Sequence, residues 1–382
     1  MITLQLQETD SLPDDLTDDL SPPSMAGMKR FFLKAFLEGR LPGIRTSLLV
    51  ARGEDGRFLA ASAFSRMRLE MDCIAPPTLQ AMARTGRRLS PGFLVLDLAT
   101  FGLPASMADQ ETVFAPSLGS EELVRAREAL VGHSLQIFRT EGLSACLWKE
   151  FDEAGWAAWA SALVPAGFHR FPSVPVSLQE VTWSSPADYL SRLRSGYRRQ
   201  MTANLARACS AGLSVETDLD FWPFADEFHT FYLQVLAHSK TRLETLTPEF
   251  FHGLAAEPRI RYIRATLGGR PAGGALCYVH APEVLVFLYV GMDYAVLREV
   301  DLYFNLLKAI ADLAAAKGVR AIRWGQTSPD AKGRLGARLQ PLWFAIRLRN
   351  PLVRAALPWL GPLLFPERGQ LERRVFADRP AE

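Results

Sequence analysis

Between Pro271 and Gln326 the hydrophobic pattern changes period three times. PAGGALCYV and EVLVFLYVG are apolar runs of strand length separated by HAP, which reads as a hairpin. From Asp301 to Lys317 the apolar positions are Leu302, Leu306, Ala309, Ile310 and Leu313, the spacing of one helix face, with Gly318 as a stop. Val319–Trp324 is again a short apolar strand. This order predicts an antiparallel pair followed by a strand–helix–strand crossover.

The same order occurs earlier in the chain. Ser47–Ala51 and Phe58–Phe64 read as strands around GEDG, a tight-turn sequence. Phe93–Ala99 is a continuous apolar strand, Glu121–Thr140 a helix with Leu123, Ala126, Leu130, Leu135 and Ile137 inward, and Ser144–Lys149 a further strand. Short helices at Met28–Glu38 and Gly155–Val164 and a strand at Ser173–Leu178 complete this half. GRFLAASAF, FLVLDLATF, SEELVRAREALVGHSLQIF and EGLSACLWKE answer in turn to GRPAGGALC, VLVFLYVGM, REVDLYFNLLKAIADLAAA and KGVRAIRWGQ. The pattern predicts a tandem duplication of one α/β unit. Its parts are a mobile acidic arm over residues 1–24, a first unit over 25–183, a second over 184–341, and an apolar, arginine-rich tail over 342–382. Residues 68–90 read as a polar insertion in the first unit.

Composition narrows the function classes. At 48% hydrophobic and 22% charged, 382 residues suit ordinary cores, and a net charge of +2 gives no basis for DNA binding. Cys73, Cys146, Cys209 and Cys277 are far apart with no CxxC pair, and the six histidines show no ligand spacing. Neither a metal site nor a disulfide framework is expected. DSLPDDLTDDLSPP at the N-terminus lacks the basic and apolar regions of a secretory leader, and no apolar window is long enough to span a membrane, so a cytoplasmic location is the expectation.

Ser184–Leu213 predicts one basic amphipathic helix, capped by Ser185 with Pro186 at its first position. Leu190, Leu193, Tyr197, Met201 and Leu205 form its apolar face, and Arg192, Arg194, Arg198, Arg199 and Arg207 crowd the rest with no acid beside them. A solvated basic face and a phosphate clamp are both open readings. Helices at Phe221–Lys240 and Pro248–Leu254 follow, and Arg259–Thr266 opens the second sheet.

These stretches carry a resemblance. YLSRLRSGYRRQMTANLARACSAGL, FYLQVLAHSK, LTPEFFHGL, GGRPAGGALCYV, LYVGMDYAVLREVDLYFNLLKAI and WGQTSPDAKGRLG are similar to the Gcn5-related N-acetyltransferase (GNAT) superfamily in its FemAB-like branch. The resemblance spans residues 184–341, and the first half shares it in architecture. It implies an α/β fold of tandem GNAT-like units, each a mixed, mostly antiparallel sheet flanked by helices. It also implies transfer of an acyl or aminoacyl group to an amine, with acyl-coenzyme A as co-substrate and no permanently bound cofactor. Ordinary GNATs bind the coenzyme A pyrophosphate on a glycine-rich loop after the fourth strand, whereas the corresponding MDYAVLREV has no glycine after Gly291. An aminoacyl-tRNA donor therefore stays open.

Aminolysis of a thioester or ester needs a base for the amine proton and donors for the oxyanion. His238 or Glu244 is the expected base, and Tyr289 or Lys332 the expected support for the oxyanion or leaving group. Arg194, Arg198, Arg199, Lys240, Arg242, Asp293, Tyr294, Tyr303 and Gln326 are the expected substrate- and donor-binding residues. His238, Lys240, Arg242 and Glu244 read as one polar loop, and Lys332 lies in DAKGRLG, which corresponds to a lysine-containing loop of the family. The bland alternatives are a capping role for Asp293, a helix-end role for His238 and a solvated Lys332.

The tail combines Trp343, Phe344, Ile346, Leu348, Leu352, Val353, Leu357, Trp359, Leu360, Leu363, Leu364 and Phe365 with arginines, and Pro351, Pro358 and Pro362 are expected to break any long helix. Such a segment suits either an interfacial role or packing on the first unit. The expected activity is N-acyl transfer from acyl-coenzyme A to an amphipathic lipid amine such as a long-chain sphingoid base, at the cytoplasmic face of the inner membrane. The alternatives are a FemX-like transferase using aminoacyl-tRNA on a peptidoglycan precursor, the only reading that involves tRNA, and a non-catalytic GNAT-fold binding protein.

Overall fold

In the computed structural model, residues 4–70, 85–88, 90, 92–93, 95–105, 107–239, 243–367 and 373–377 are described. Cys73 and most of the expected polar insertion lie outside them. The chain divides into two compact units: Met1–Val174 with Lys240–Phe250 and Pro341–Arg368, and Pro175–Ser239 with Phe251–Gln340 and Gly369–Glu382.

The first unit contains β1 (Gln5–Thr9), β2 (Ile44–Arg52), β3 (Phe58–Glu70), β4 (Val95–Phe101), β5 (Thr112–Phe114), β6 (Ala145–Phe151) and β7 (His169–Pro172). β1 to β4 pair antiparallel in sequence, and β5 pairs with β3. β4 and β6 are parallel, from Leu98↔Ala145 to Phe101↔Trp148, which requires a crossover. The Ser120–Thr140 helix makes it, burying Ala126, Leu130, Val131 and Leu135 in a core with Leu49, Phe64, Ala99 and Trp148.

The acidic N-terminal stretch is not the expected mobile arm. β1 is a paired strand and Leu16 is fully buried. The carboxylates that read as solvated are bound: Glu8 by Arg66 at 2.7 Å, Asp10 by the Ser47 hydroxyl at 2.7 Å, and Asp15 by Arg52 at 2.9 Å. Their partners stand on β2 and β3, too far along the chain for local pattern to reveal them.

The second unit contains β8 (Val176–Glu180), β9 (Leu213–Asp220), β10 (Ile260–Leu267), β11 (Arg270–His280), β12 (Val284–Met292), β13 (Ala321–Gly325) and β14 (Arg338–Gln340), in the order β14-β8-β13-β12-β11-β10-β9. β9 to β12 pair antiparallel, and β12 is parallel to β13 across the Leu302–Ala316 helix. The predicted face of that helix, Leu302, Leu306, Ala309, Ile310 and Leu313, is buried. β11, β12, helix and β13 therefore repeat the path of β3, β4, helix and β6, and the duplication is real.

Two strands join the other sheet from the one their position suggested. β8, read with the first unit, lies between β13 and β14 in the second sheet. β15 (Trp343–Leu348), read with the tail, lies between β6 and β7 in the first sheet. After it, Pro351–Leu364 is one helix despite Pro358 and Pro362. Asn350 caps it, accepting from Leu352 N–H at 2.9 Å, and Pro351 stands at its first position, where no N–H is needed.

The expected basic helix is two, Pro186–Arg192 and Ser195–Ser210. Ser185 caps the first as predicted, accepting from Asp188 N–H at 3.1 Å. The break falls at Leu193, which bridges to Phe376, and Arg194, whose N–H donates to Val375 O at 3.0 Å. A distant strand-like contact competes with helical continuity here.

Candidate functional site

In the second unit the site is built where β12 and β13 part. Their ladder runs Val284↔Ala321, Leu285↔Ile322, Val286↔Arg323 and ends, although β12 continues to Met292 and β13 to Gly325. On the other side of β12 the register with β11 shifts, because Leu276 pairs with Tyr289 while Cys277 pairs with Phe287. Leu288 is thus the extra residue of a bulge, a device that re-aims side chains and frees main-chain groups. Phe287 and Trp324, the residues just past the end of the ladder, meet edge to face with ring centroids 6.3 Å apart. Trp324 is fixed from behind, its Nε1–H donating to Gln179 at 2.9 Å.

Lys332 enters this place from the Pro329–Gly333 helical turn. It is not a solvated lysine: 1% of it is exposed, and its ammonium stands 5.6 Å from the centroid of the Phe287 ring. Among the described residues its side chain has no hydrogen-bond or ion-pair partner. Burial alone lowers its pKa to about 7. Beside it, Tyr303 on the Leu302–Ala316 helix shares a side-chain hydrogen bond with Ser328, and burial pushes the phenol up to about 12, so it stays protonated. Ser328 holds a left-handed backbone, φ 51°, rare for a residue with a side chain. Gln326 lies between β13 and this turn.

A second group lies on the Ala225–His238 helix and the segment after β12. The His238 ring stacks on Tyr294 with centroids 3.7 Å apart and planes within 6°. His238 Nδ1 is 2.9 Å from Gln234 O, and Gln234 Oε1 accepts from Tyr294 N–H at 3.2 Å. A carbonyl partner requires the proton on Nδ1, which leaves Nε2 as the basic nitrogen of the neutral ring. Asp293 accepts from Ala295 N–H at 2.9 Å and so makes a local turn, and Tyr289 packs edge-on to Phe251 at 5.8 Å.

The arginines differ from one another. Arg192 is bound by Asp188 at 2.8 Å, so the basic stretch does have an acid beside it, and that guanidinium holds Asp188 at about 2. Arg194 donates to Phe376 O at 3.3 Å and Arg198 to Ser191 O at 3.3 Å. Arg199 has no hydrogen-bond or ion-pair partner among the described residues and, with Ser195, Arg198 and Thr202, lines an open, shallow groove. At the N-terminus of the Leu302–Ala316 helix, Asp301 has φ 47° and accepts from Asn204 Nδ2 at 2.6 Å, while Asn305 donates to Asn204 at 3.1 Å and to Val300 O at 2.8 Å. Sequence reading missed this network, since an isolated Asn on each of two helices gives no signal.

Of the expected polar loop, Lys240 and Arg242 lie outside the described residues. Glu244 belongs to the first unit, where burial raises its pKa and the Lys149 ammonium opposes the rise. Glu244 joins a buried cluster that sequence reading also missed, at the end of the first unit's parallel pair. Glu111 is 1% exposed, accepts from Leu103 N–H, and leaves Oε1 unpartnered. Burial raises its pKa to about 8 against the pull of Lys149. A Cβ on Gly102 would lie 2.6 Å from Lys149 Cε, so the Lys149 stem fills the place where the strands part. The legible signal was a charged pair, Lys149–Glu150, ending an apolar strand.

The cluster predicts a pH effect. Because the folded carboxyl of Glu111 titrates above its ordinary value, the fold binds an extra proton between about pH 4.5 and 8, and its stability falls as pH rises through that window. Thermal melts of wild type and Glu111→Gln should show a smaller pH 6-to-8 loss in the variant; equal losses would refute it.

Among the described residues no group of His, Cys, Asp and Glu is placed to hold a metal, and no helix is long and apolar enough to cross a membrane. Residues 191–332 match the model of the acetyltransferase (GNAT) domain family, an interval that ends on Lys332. No curated protein matches the sequence. The C-terminal domain of a lysylphosphatidylglycerol synthetase candidate from Agrobacterium fabrum is similar in structure, with TM-score 0.51 and 13% identity over 84% of this chain and 90% of that one. FemX gives 0.49 at 11% identity, covering 82% and 90%, and a tandem GNAT protein from the clavulanic acid biosynthesis pathway gives 0.47 at 14%, covering 91% and 99%. The fold is a tandem of GNAT-like units, and residues 191–332 of the second unit match the acetyltransferase domain of that superfamily.

Proposed function

We propose that the second unit transfers an acyl group from acyl-coenzyme A to the amine of an amphipathic lipid, a long-chain sphingoid base in the first instance, at the cytoplasmic membrane face. The observation that carries the chemistry is Lys332, buried where β12 and β13 part, with a pKa of about 7 and no hydrogen-bond or ion-pair partner among the described residues. A lysine of that kind is neutral for much of the time at neutral pH and accepts a proton readily. In this mechanism neutral Lys332 takes the amine proton as nitrogen attacks the thioester carbon. The oxyanion is held by main-chain N–H groups of β12 released past Val286, with Tyr289 beside them. The carbon–sulfur bond then breaks, and Lys332 returns the proton to the thiolate. Tyr303 and Ser328 fix the Lys332 turn, the His238–Tyr294 stack shapes the acceptor side, and Arg198 and Arg199 face donor phosphates.

A second reading is favoured by one feature. The Asp301 carboxylate stands at the helix N-terminus where a pyrophosphate would otherwise be welcome, and like charges repel there. That suits a FemX-like transfer from aminoacyl-tRNA to a peptidoglycan precursor. Incubation of the purified chain with palmitoyl-coenzyme A and sphinganine should give an amide detectable by mass spectrometry. Product from charged tRNA and a precursor peptide, with none from any acyl-coenzyme A and lipid amine, would overturn the first reading in favour of the second.

A further inference from the structure

The Pro351–Leu364 helix exposes its most apolar side. It is anchored through Leu357 and Gly361, which are buried, and by Phe365, which packs on Phe171 at 5.4 Å and on Phe344 at 4.9 Å. Gly361 is needed for this seat, since a Cβ there would overlap the Phe171 ring. The outward side carries Leu352 (79% exposed), Trp359 (82%) and Leu363 (74%), with Val353 and Leu360 at 46% each. At about 100° per residue these five fall within an arc of roughly 120°. Single exposed apolar residues are ordinary, but a contiguous stripe including a tryptophan is not.

Four arginines stand near the N-terminal end of the helix: Arg139, Arg347, Arg349 and Arg354. The helix itself has no acid. Near its N-terminal end Arg354 donates to Leu348 O at 3.4 Å, and Arg349 donates to Leu143 O and Phe138 O at 2.8 and 2.9 Å. Arg347 has its proton affinity lowered by burial and by the charges of Arg354 and Arg139. None of Arg139, Arg347, Arg349 and Arg354 has an ion-pair partner among the described residues. Arg354 and Arg139 repel Arg347, and Arg354 lies on the seated side of the helix with Leu357 and Gly361, outside the apolar arc.

We propose that this helix lies in the surface of an anionic phospholipid bilayer, its apolar stripe among the acyl chains and the arginine cluster against phosphate headgroups. The apolar arc and the tryptophan match an interfacial helix, and the uncompensated charge selects an anionic surface over a protein's apolar groove. The proposal deepens the lipid-amine reading, but it is tested without donor or acceptor, so either can fail alone.

The test is co-sedimentation of the full chain with vesicles of phosphatidylcholine, with or without phosphatidylglycerol. Wild type should pellet with the anionic vesicles, less with neutral ones, and less as salt rises. Trp359→Glu/Leu363→Glu, at side chains that the fold leaves exposed, should bind on the order of tenfold more weakly while melting at the wild-type temperature. Arg349→Gln/Arg354→Gln should lose the preference for phosphatidylglycerol. Wild type that stays in solution, or double-glutamate protein that binds equally, would overturn the proposal. So would a wild-type dimer that the glutamates dissolve, since a second copy would then cover the face.

Discussion

Lys332→Met is expected to raise the stability of the protein while removing acyl transfer. Lys332 is 1% exposed, and among the described residues its ammonium finds an aromatic ring but no acceptor. Its pKa falls from 10.5 to about 7. At about 1.4 kcal/mol for each tenfold change in proton affinity, that is on the order of 5 kcal/mol against the charged form. Methionine has a similar length and no charge to desolvate. The sign follows from proton counting. Between about pH 7 and 10.5 the unfolded chain holds a proton that the fold does not, so wild-type stability rises with pH across that window and is lowest below it. Replacement should therefore stabilise more at pH 6 than at pH 9, by roughly 2–3 kcal/mol in denaturant titrations. Transfer should fall about 100- to 10,000-fold, the usual worth of a positioned base. A variant destabilised at pH 6 would show that Lys332 has a stabilising partner and is no stored cost of function.

Gly291→Ala should loosen the same site from the opposite side. Gly291 is on β12, and a Cβ there would lie 2.8 Å from Phe231 Cβ, 2.9 Å from Tyr232 N and 3.0 Å from Phe228 O. Two of those three atoms are helix backbone, which cannot step aside as a flexible side chain does. The Ala225–His238 helix must move away from the sheet, and with it Gln234 and His238, which hold Tyr294. Overpacking of this kind costs about 1–3 kcal/mol. Denaturant unfolding and near-ultraviolet circular dichroism of Gly291→Ala should show that loss and a changed aromatic environment. An unchanged midpoint would mean the helix does not sit this close.

The sequence was most legible where a signal is local. The apolar stripe Leu302–Leu313, the hairpin around HAP, the Ser185 cap and the doubled order of elements each depend on neighbours within a few residues, and the fold keeps them. Lys332 was singled out through a family pattern; its burial could not be read, because a lysine between Ala331 and Gly333 looks solvated. What escaped depends on distant pairing. Arg52 and Arg66 neutralise the acidic start, Phe376 divides one basic helix into two, and β8 and β15 pair with strands far from them along the chain. The polar run from His238 to Glu244 looked like one loop in sequence, yet its ends belong to different units, because Thr247 and Phe250 anchor the later part on Gly39 and Phe36.

The central claim, that a buried neutral lysine drives amide formation, is tested most directly by the pH dependence of kcat with palmitoyl-coenzyme A and saturating sphinganine. Wild type should gain rate tenfold per pH unit below about pH 7 and lose that slope above it, as Lys332 becomes neutral. The residual rate of Lys332→Met should show no inflection there. A wild-type profile without an inflection near pH 7, or the same inflection in Lys332→Met, would contradict the account.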